Sequence, residues 1–572
     1  MQPITQRRWR LKEPDPAVVR HLATACNLPS LLARLLANRA VTEPEAARRF
    51  LAPNLAEIPD PFLLFGMEEA VARLTAARRN GERVCIHGDY DVDGITATAL
   101  LVSFFRAVGI AVDYHLPLRL EEGYGLSAAG IRAAAAQGAR VIVSVDCGIT
   151  AHAEARLCRE LGLDLIVTDH HLPENELPPA RAVINPHQPG CPYPFKGLAG
   201  VGIAFQLALA LRRRLRDEGA FTAATEPNLR EYLDLVALGT VADVAPLVAE
   251  NRVFVSFGLR ELSTGARPGV RALKEVAGVS EPVSCGAVGF RLAPRLNAAG
   301  RLDDAATGVE LLLCTDPVRA RELAAQLDAE NAARQALEQE ILRDALEQLR
   351  STAGLRGRKS IVLASEQWHP GVIGIVASRL VDLYHRPTIL ISLREGEGKG
   401  SGRSIPGLHL RDALAACAGH LAQFGGHRQA AGLTIDEATL AAFVDHFDQV
   451  VNGTLSEEDL TPELALDGEL TVADLTLAGV EQLAVFAPFG IGNPEPLFLL
   501  RDVRVRERRL LNDVHVKLKV EVGGRHFDAI GFHLLKPEPG AERVDLACTP
   551  QINEWQGRRS VQLRLKDVRN AV

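Results

Sequence analysis

The sequence predicts a multidomain α/β protein: a parallel-sheet domain, a long connecting helix, a second α/β domain and a C-terminal antiparallel β-barrel. Three observations indicate this architecture. Short β-branched runs alternate with Ala-rich helical stretches between Arg83 and about Asn185, as in a parallel sheet covered by helices. Neither Gly nor Pro interrupts the charged segment from Val318 to Ala353, which is typical of one long helix. After Pro462, apolar and polar residues alternate with period two, as in antiparallel strands.

The first domain is expected to span residues 51–315, with residues 1–50 as an N-terminal segment packing on it. Its buried strands are predicted at four apolar runs, namely Val84–Ile86, Val141–Val145, Leu165–Thr168 and Ala182–Ile184. Each run ends in a polar cluster. Because open parallel sheets place their sites at the carboxyl ends of strands, these clusters are expected to belong to one functional site.

The connecting helix is expected over residues 316–354, because Asp316-Pro317 has the signature of an N-cap followed by Pro at the first helical position. The second α/β domain is assigned to residues 355–455 and begins with the strand-like run Ser360–Ala364. The barrel is assigned to residues 456–572. Gly523-Gly524 predicts a hairpin turn between two of its strands.

Composition restricts the class of protein more than it identifies a ligand. The net charge of −7 gives no support for a polyanion ligand, although residues 501–572 carry 15 Lys and Arg against 10 Asp and Glu. The nine cysteines include no Cys-x-x-Cys pair, so neither a zinc ribbon nor a disulfide framework is expected, and a reducing cytoplasm is inferred. The N-terminus lacks an apolar core, and no apolar run is long enough for a membrane span.

A dense group of metal-ligand side chains follows the first predicted strand. His87, Asp89, Asp91 and Asp93 lie within seven residues, and Gly94 and a helical stretch come next. Side chains on a loop between a strand and a helix can converge on one cation, and without a positive charge these carboxylates would repel one another. A solvated turn with an Asp helix cap is the alternative interpretation.

Further candidate ligands follow other apolar elements. Asp146 and the triplet Asp169-His170-His171 end neighbouring predicted strands, so they are expected at the same edge of the sheet. Asp243 ends an apolar helix, where an unpaired carboxylate would be costly. Taken one at a time, the histidines could be core or capping residues, and Asp243 could bond to backbone. Carboxylate and imidazole ligands without thiolate suit Mn²⁺ or Mg²⁺.

In this order, the four clusters resemble the four signature motifs of the DHH phosphoesterase family, which is named for the triplet that stands here at Asp169-His170-His171. The resemblance implies a site for two divalent cations that Asp146 bridges. One cation would be held by His87, Asp91 and Asp146. The other would be held by Asp93, Asp146, His170 and Asp243.

The same resemblance implies the reaction class. Asp89 matches an acidic position of the nuclease branch and is a candidate catalytic residue, and His171 is assigned to the scissile phosphate. Two cations activate a water for attack on phosphorus and stabilise the leaving oxygen, so no protein nucleophile is needed. The family includes pyrophosphatases and nucleotide phosphatases, and the metal site therefore leaves the substrate open.

Motifs in the second domain narrow the substrate. Gly400-Ser-Gly-Arg403 and Gly425-Gly-His427 combine glycines, which allow close backbone approach, with phosphate donors on Ser401, Arg403 and His427. Two plain glycine turns are the alternative. These segments resemble the substrate-binding domain that follows the catalytic domain in the nuclease and nucleotide-phosphatase branches of the family.

The resemblance extends along nearly the whole chain to the RecJ-type single-strand DNA exonucleases. Its further supporting segments are Glu122–Leu126, Pro294–Arg301 and Pro488–Pro496. It implies that Ser401 and Arg403, together with Arg119, hold the 5′ end of the strand. Arg295 or Arg301 would contact the same strand, and a domain-interface ion pair is the alternative for either.

The terminal barrel is similar to an oligonucleotide-binding (OB) fold, which grips single strands with a cationic groove and stacking aromatics. Candidate contacts are Lys517, Lys519, Arg525, Phe527, Arg558 and Arg559. The alternatives are core positions for Phe527 and Phe532, and protection of a strand edge by the lysines. The chain ends soon after the barrel, so no additional C-terminal domain is expected.

The leading hypothesis is an exonuclease that uses Mn²⁺ or Mg²⁺ to degrade single-stranded DNA from 5′ to 3′ to 5′-mononucleotides, in recombination and repair. Besides single-stranded DNA, the expected partners are a single-strand-binding protein and a helicase, and the protein is expected to be a cytoplasmic, nucleoid-associated monomer. A hydrolase for short oligonucleotides or nucleotide phosphates is the second hypothesis. A non-catalytic DNA-binding or replisome scaffold is the third, although such a protein is expected to lose metal ligands.

Overall fold

The structure is a computed structural model that describes residues 4, 6–118, 122–123, 125–302, 304–351, 357–512, 514–534 and 541–571, with only the backbone described at Arg301 and Leu302. The chain divides into two compact units. The larger unit comprises Pro14–Asn331 and Ala478–Pro496. The smaller unit comprises Met1–Glu13, Ala332–Leu477 and Leu497–Val572.

Strands and helices are numbered separately along the chain. The strands are β1 (Arg8–Leu11), β2 (Arg83–Gly88), β3 (Val112–His115), β4 (Ala139–Val145), β5 (Asp164–Thr168), β6 (Ala182–Ile184), β7 (Ile361–Ser365), β8 (Thr388–Arg394), β9 (Glu397–Arg403), β10 (Gln423–Gly426), β11 (Ala430–Asp436), β12 (Glu463–Leu466), β13 (Phe498–Leu511), β14 (His515–Val522), β15 (Arg525–Gly531), β16 (Arg543–Trp555) and β17 (Arg558–Asn570). The α-helices are α1 (Pro16–Ala25), α2 (Ser30–Ala37), α3 (Pro44–Leu51), α4 (Met67–Asn80), α5 (Val92–Ala107), α6 (Ala128–Ala136), α7 (His152–Glu160), α8 (Gly200–Asp217), α9 (Leu233–Ala242), α10 (Ala249–Thr264), α11 (Pro268–Val276), α12 (Cys285–Ala287), α13 (Ala293–Leu302), α14 (Ala306–Leu313), α15 (Pro317–Ser351), α16 (Ile373–Tyr384), α17 (Leu410–Ala416), α18 (Leu440–Thr454) and α19 (Leu477–Leu483). Among the described residues, no helix combines the length and the hydrophobicity that a membrane span requires.

A five-stranded sheet in the order β3-β2-β4-β5-β6 forms the centre of the larger unit. All of its strand pairs are parallel. Helices cover both faces, with α5, α8 and α9 on one side and α6 and α7 on the other. Burial on both faces explains the near-continuous apolar strands, and it confirms the predicted parallel sheet. The edge strand β3 escapes the sequence pattern because Asp113 and His115 interrupt its apolar residues.

Helix α5 begins at the candidate metal loop and runs through the core of the larger unit. Its residues from Val92 to Val102 are all buried. A helix that is buried all round needs no amphipathic pattern, and its sequence is correspondingly apolar. The N-terminal end of α5 is therefore held rigidly beneath the carboxyl ends of the strands.

The connecting helix α15 begins in the larger unit and ends in the smaller unit, because the boundary between them lies at Asn331. Its predicted N-cap is present: Oδ1 of Asp316 accepts a hydrogen bond from the N–H of Val318 at 2.9 Å. Leu327 is buried in the core of the larger unit, whereas Ile341 belongs to a core of the smaller unit.

The smaller unit contains a mixed sheet in the order β10-β11-β9-β8-β7. Strands β7 and β8 are parallel, and the remaining neighbours are antiparallel. Helix α16 contributes to one buried cluster of this domain, and helices α17 and α18 contribute to another. This arrangement confirms the predicted second α/β domain and places β9, with Ser401 and Arg403, in the middle of the sheet.

A closed five-stranded barrel in the order β13-β14-β15-β17-β16 completes the smaller unit. Its pairs are antiparallel except for β15 and β17, which are parallel. Gly523 and Gly524 have φ angles of 53° and 76° in the β14–β15 hairpin, and this matches the predicted turn. The OB-like barrel is thus confirmed, with one parallel pair closing it.

The N-terminal segment belongs partly to each unit. Strand β1 pairs in parallel with β12, and Nε1 of Trp9 donates to Oδ2 of Asp567 at 2.9 Å. The first 13 residues therefore belong to the smaller unit, whereas residues 14–50 belong to the larger unit.

Candidate metal centre

The loop after β2 is shaped by its own carboxylates and one glycine. Asp91 is the N-cap of α5, and its Oδ1 accepts hydrogen bonds from the N–H groups of Asp93 at 2.9 Å and Gly94 at 3.2 Å. A Cβ on Gly94 would collide with the carbonyl oxygen of Asp89. Glycine at this position lets the loop fold tightly over the end of the helix, so the carboxylates project from one short turn.

Asp93 is buried and receives two backbone donors from a distant segment. The N–H of Gly200 donates to Oδ2 at 2.6 Å, and the N–H of Val201 donates to Oδ1 at 2.8 Å. Both donors lie in the first turn of α8, where the helix dipole favours a negative charge. The position of Asp93 is therefore set by a helix more than a hundred residues away in the chain.

Asp146 follows β4 in a strained conformation. Its φ angle is 61°, in the left-handed region that non-glycine residues rarely adopt. The N–H of Asp146 donates to the carbonyl of Thr168 at 3.0 Å. A Cβ on Gly200 would lie 2.6 Å from Oδ1 of Asp146, so the small residue leaves space for the carboxylate. Such strain concentrates at functional sites, where the surroundings hold it in place.

The three side chains of the triplet after β5 make different contacts. Asp169 is buried and accepts a hydrogen bond from Nδ1 of His171 at 2.7 Å and one from the N–H of Ile149 at 2.9 Å. His170 instead turns toward the other carboxylates, with Nε2 at 3.0 Å from Oδ1 of Asp146. Asp169 therefore positions its neighbour, and His170 joins the cluster.

Three overlapping groups of side chains have ligand atoms within 4.8 Å of one another and could each hold a metal ion. Asp146 and His170 are each shared by two groups. His170 also lies 4.0 Å from Asp93 Oδ2 and 4.0 Å from Asp243 Oδ2. The groups are Asp89, Asp91 and Asp146; Asp93, His170 and Asp243; and Asp146, His170 and His171.

The carboxylates of this cluster repel one another, and burial strengthens the effect on their pKa values. Burial and the charge of Asp91 raise the pKa of Asp93 to about 7. Burial and the charge of Asp93 raise the pKa of Asp243 to about 8 and that of Asp146 well above its ordinary value. A divalent cation would relieve this repulsion, and the oxygen-rich donor set without thiolate fits Mn²⁺ or Mg²⁺.

The histidines have different protonation states. Burial and the neighbouring His115 lower the pKa of His87 to about 3, while burial and His171 lower the pKa of His170 to about 4. Both imidazoles are therefore neutral, as metal ligands must be. Burial alone would lower the pKa of His171, but the hydrogen bond and charge of Asp169 raise it to about 9.

His87 lies outside the three groups, although it was expected to bind the first cation. Its buried Nε2 has no hydrogen-bond partner among the described residues, and its ring packs against His115 with centroids 4.8 Å apart. A buried imidazole nitrogen without a hydrogen-bond partner among the described residues fits a metal ligand. The assignment of His87 to the first cation stays a prediction.

Two of the predicted substrate-binding residues of the smaller unit, Ser401 and Arg403, lie against the start of α16. Nη1 of Arg403 donates to Oγ of Ser401 at 3.1 Å. A Cβ on Gly374 would lie 2.7 Å from Ser401 Oγ and 2.9 Å from Arg403 Nη2, so both side chains cross the first helical turn. Cationic, hydroxyl and helix-end groups together favour an anion. His427 is exposed in the turn between β10 and β11.

The structure describes only one of the three remaining arginine side chains that were predicted to contact the substrate. Arg119 lies outside the described residues, and so does the side chain of Arg301. Nε of Arg295 donates to Oδ1 of Asp328 at 2.8 Å, and its Nη1 donates to the carbonyl of Arg291 at 2.6 Å. The structure thus gives Arg295 a partner within the larger unit, not at the domain interface that the ion-pair alternative named.

The residues of the barrel that were predicted to contact DNA differ in burial and in their partners. Phe527 is buried, and the guanidinium of Arg525 lies 5.3 Å from its ring centroid, so Phe527 is a core residue. Lys517 pairs with Asp528, and Lys519 pairs with Glu507. Arg558 and Arg559 are exposed at the β16–β17 turn.

Three features escaped the sequence interpretation. Trp555 is 71% exposed and stands opposite Arg558 in the β16–β17 hairpin. The signal was an aromatic residue and two arginines flanking a Gln-Gly turn. Oδ1 of Asn297 accepts a hydrogen bond from the N–H of Val92 at 3.1 Å and so holds the loop after β2. The N–H of Gly200 donates to Asp93. Neither contact has a local sequence signature.

Comparisons with known proteins agree with this geometry. Family models described as the DHH family N-terminal domain, the DHHA1 domain and the RecJ OB domain match residues 83–240, 357–453 and 466–567 respectively. A protein named single-stranded-DNA-specific exonuclease RecJ from Dickeya dadantii is 45% identical over 562 residues, which cover 94% of this chain and 96% of the relative. The protein of the same name from Escherichia coli is 44% identical over 561 residues, covering 95% and 96%.

A solved structure extends the agreement to three dimensions. The crystal structure of RecJ in complex with Mn²⁺ from Thermus thermophilus matches with a TM-score of 0.84 and 35% sequence identity. The match covers 98% of this chain and 79% of that one. Identity of this level over nearly the full length of this chain establishes common descent of all its domains. The chain therefore belongs to the RecJ family of single-stranded-DNA-specific exonucleases.

Proposed function

We propose that the protein is a metal-dependent exodeoxyribonuclease that degrades single-stranded DNA from 5′ to 3′ and releases 5′-mononucleotides in recombination and repair. The observation that carries the proposal is the convergence of carboxylates and imidazoles on Asp146 and His170 at the carboxyl edge of the parallel sheet. The name that the relatives share, single-stranded-DNA-specific exonuclease, supports the substrate.

The residues present fit two divalent cations, Mn²⁺ or Mg²⁺. Asp93, Asp146, His170 and Asp243 would hold one. His87, Asp91 and Asp146 would hold the other, with Asp89 beside them. When bound, such ions lower the pKa of a water and stabilise the leaving oxygen of the phosphodiester. The Thermus thermophilus structure, described as a complex with Mn²⁺, supports this assignment.

The other groups of the site orient and neutralise the reacting phosphate. With a pKa of about 9, His171 is protonated at neutral pH and can donate to a non-bridging phosphate oxygen. Asp169 holds the ring through Nδ1, so Nε2 would be the donor to the substrate. Backbone donors of α8 hold Asp93 in place before any ion binds.

The polarity of degradation is proposed to depend on the anion-binding groups at the start of α16. Ser401 and Arg403, with His427 and Arg119, would take the phosphate at the 5′ end. Trp555 and Arg558 on the barrel hairpin would contact the strand further along by stacking and charge. Arg301 remains a proposed strand contact, and the ion pair with Asp328 favours a structural role for Arg295.

Two alternative functions are less well supported. A hydrolase of short oligonucleotides would not need the closed barrel, which matches the RecJ OB domain. A non-catalytic scaffold would not need the retained metal ligands. We further propose that the protein acts as a monomer in the cytoplasm, at the nucleoid, on strands supplied by a helicase and a single-strand-binding protein.

Labelled strands test the proposal. With Mn²⁺, 5′-labelled single strands should release labelled mononucleotide at once, 3′-labelled strands should release it last, and blunt duplex should resist. Arg403→Ala should weaken the preference for a 5′-phosphorylated end by roughly 10- to 100-fold, because charge-assisted hydrogen bonds contribute roughly 1.5–3 kcal/mol. Release that starts at the 3′ end, or equal digestion of duplex, would contradict the proposal.

A further inference from the structure

The motif Pro488–Pro496 precedes the barrel in the chain but does not belong to the same unit as the barrel. The segment 478–496 packs in the larger unit, although the chain on either side belongs to the smaller unit. We call residues 485–493 of this segment the strap. Its contacts identify a role that the metal site alone does not reveal.

A buried arginine anchors the strap to the larger unit. Arg252 on α10 is only 2% exposed, and its guanidinium stacks 4.0 Å from the ring centroid of Phe50. Its Nε donates to the carbonyl of Phe50 at 2.8 Å. Its Nη atoms donate to strap carbonyls, namely those of Val485, Phe486, Ala487 and Pro488, at 2.8–3.4 Å. A charge buried this deeply is stable only because its donors are satisfied.

Asn493 closes the other end of the strap. Its side chain is fully buried, and Nδ2 donates to the carbonyls of Phe486 at 2.7 Å and Pro488 at 2.8 Å. Its Oδ1 accepts from Nε of Arg39 at 2.6 Å. The strap is therefore folded on itself around Asn493.

The strap contacts the loop that follows Asp243. The N–H of Leu247 donates to the carbonyl of Ile491 at 2.7 Å. A Cβ on Gly490 would lie 2.7 Å from Cδ1 and 3.0 Å from Cγ of the buried Leu247. The backbone of the strap thus lies directly against this loop, with no space for a side chain between them.

The loop needs such support because it is strained beside the metal ligand. Val244, the next residue after Asp243, has a φ angle of 62°, which is unfavourable for a β-branched side chain. This conformation persists only where surrounding contacts impose it. On the opposite side, Nδ2 of buried Asn251 donates to the carbonyls of Pro246 at 3.1 Å and Gly197 at 2.6 Å.

These contacts connect the two halves of one candidate metal group. Gly197 lies three residues before Gly200, whose N–H holds Asp93. Asn251 therefore ties the loop of Asp243 to the segment that supports Asp93, while the strap holds that loop from the other side. Asp93 and Asp243 belong to the same group around His170.

We propose that the strap is a positioning element for the metal centre: it holds the loop 243–248 and so sets the spacing between Asp243 and Asp93. The inference rests on the proposed function, because it treats both carboxylates as ligands of one cation. No residue of the strap belongs to one of the three candidate metal groups. The strap residues act through Leu247 and the loop.

Calorimetric titration with Mn²⁺ alone tests the proposal without reference to nuclease activity. Asn493→Ala should weaken Mn²⁺ binding about tenfold, in the range found when partners of metal ligands are removed. Lys274→Met is the matched control. Lys274 is also buried in the larger unit and donates to the carbonyls of Leu262 and Ser263, so its loss lowers stability but should leave Mn²⁺ affinity unchanged. Wild-type affinity in folded Asn493→Ala would overturn the proposal.

A second pair of variants decides the question if Asn493→Ala does not fold. Gly490→Ala should push Leu247 and its loop away and weaken Mn²⁺ binding, whereas Leu247→Ala should make space for the added methyl group. The double variant Gly490→Ala/Leu247→Ala should therefore bind Mn²⁺ more tightly than Gly490→Ala alone. Additive losses, or no loss in Gly490→Ala, would overturn the proposal.

Asp243→Ala separates the two levels of inference. If Asp243→Ala binds Mn²⁺ like the wild type, the ligand assignment within the proposed function is wrong. If Asp243→Ala loses binding while the strap variants retain it, the ligand assignment holds and the positioning role of the strap is wrong.

Discussion

Asp146 contributes to more than one candidate metal group and has a strained backbone conformation. It occupies the left-handed region at φ 61°, directly after an apolar strand, and it belongs to two of the three candidate metal groups. A conformation of this kind persists only where the surrounding structure holds it, and it is common at functional sites. The space left by Gly200 completes the arrangement.

Asp146→Ala should abolish tight Mn²⁺ binding and reduce the rate of hydrolysis by roughly 10³ or more, since the ions contribute several kcal/mol of transition-state stabilisation. Titration calorimetry and a single-turnover assay measure the two effects. Asp113→Ala, on the edge strand β3, is the control and should behave like the wild type. Full activity in Asp146→Ala would contradict the metal assignment.

His171 is expected to act on the phosphate and not on the metal. His171→Ala should lower kcat by about 10², the usual effect of removing one donor to a developing oxyanion, with Mn²⁺ affinity preserved. His170→Ala should instead lose Mn²⁺ binding, because His170 is shared by two metal groups. Equal loss of Mn²⁺ binding in both variants would make His171 a ligand, and calorimetry distinguishes these outcomes.

Among the helices, α10 combines support of the site with a buried acid of its own. Glu250 is 5% exposed, and it accepts a hydrogen bond from the hydroxyl of Tyr193 at 2.5 Å, which in turn accepts one from Gln206 at 2.5 Å. Burial raises the pKa of Glu250 to about 7 in spite of these bonds. Glu250, in the first turn of α10, therefore titrates near neutral pH.

This raised pKa predicts how stability depends on pH. Between the ordinary value of 4.5 and about 7, the folded state holds a proton that the unfolded state has lost, so the free energy of unfolding falls as pH rises. The loss amounts to about 3 kcal/mol across this window. Calorimetric unfolding of the larger unit from pH 5 to 8 should show a flatter dependence in Glu250→Gln, and exposed Glu310→Gln should retain the wild-type slope. An unchanged slope in Glu250→Gln would contradict the shift.

At the scale of the whole molecule, the candidate metal ligands and the proposed barrel contacts belong to different units. The metal cluster lies in the larger unit, whereas Ser401, Arg403 and the barrel lie in the smaller unit. If the barrel binds the strand as proposed, its contribution should be greater for long strands than for short ones. Dependence on substrate length is therefore the property that the whole molecule adds.

Trp555→Ala should raise KM for long single strands about tenfold, the loss expected when one base stacks on an aromatic ring. Hydrolysis of a trinucleotide should not change, since the proposed barrel contact acts on bases further along the strand. Trp555→Phe keeps an aromatic face and should restore most of the affinity. A similar rise in KM for both lengths of substrate would place the effect elsewhere than on the barrel hairpin.

Local sequence patterns predicted the architecture well where periodicity and chemistry agreed. The parallel strands, the long helix and the Gly-Gly hairpin each have a short-range signature, and they occur as expected. The pattern failed at β3, where an edge strand alternates with polar residues, and at the parallel β15–β17 pair, which depends on barrel closure. Phe527 was ambiguous because an aromatic residue on a half-buried strand can face either side.

The sequence by itself determined which donors this protein carries and which element each one follows, because the carboxylates and imidazoles stand directly after short apolar runs that mark strands and helices. Only the tertiary structure decided which of them meet. The N–H of Gly200 that holds Asp93 and the strap carbonyl that holds the loop after Asp243 come from segments far apart in the chain. Contacts of this kind arise from the packing of helices and loops, and no local period encodes them.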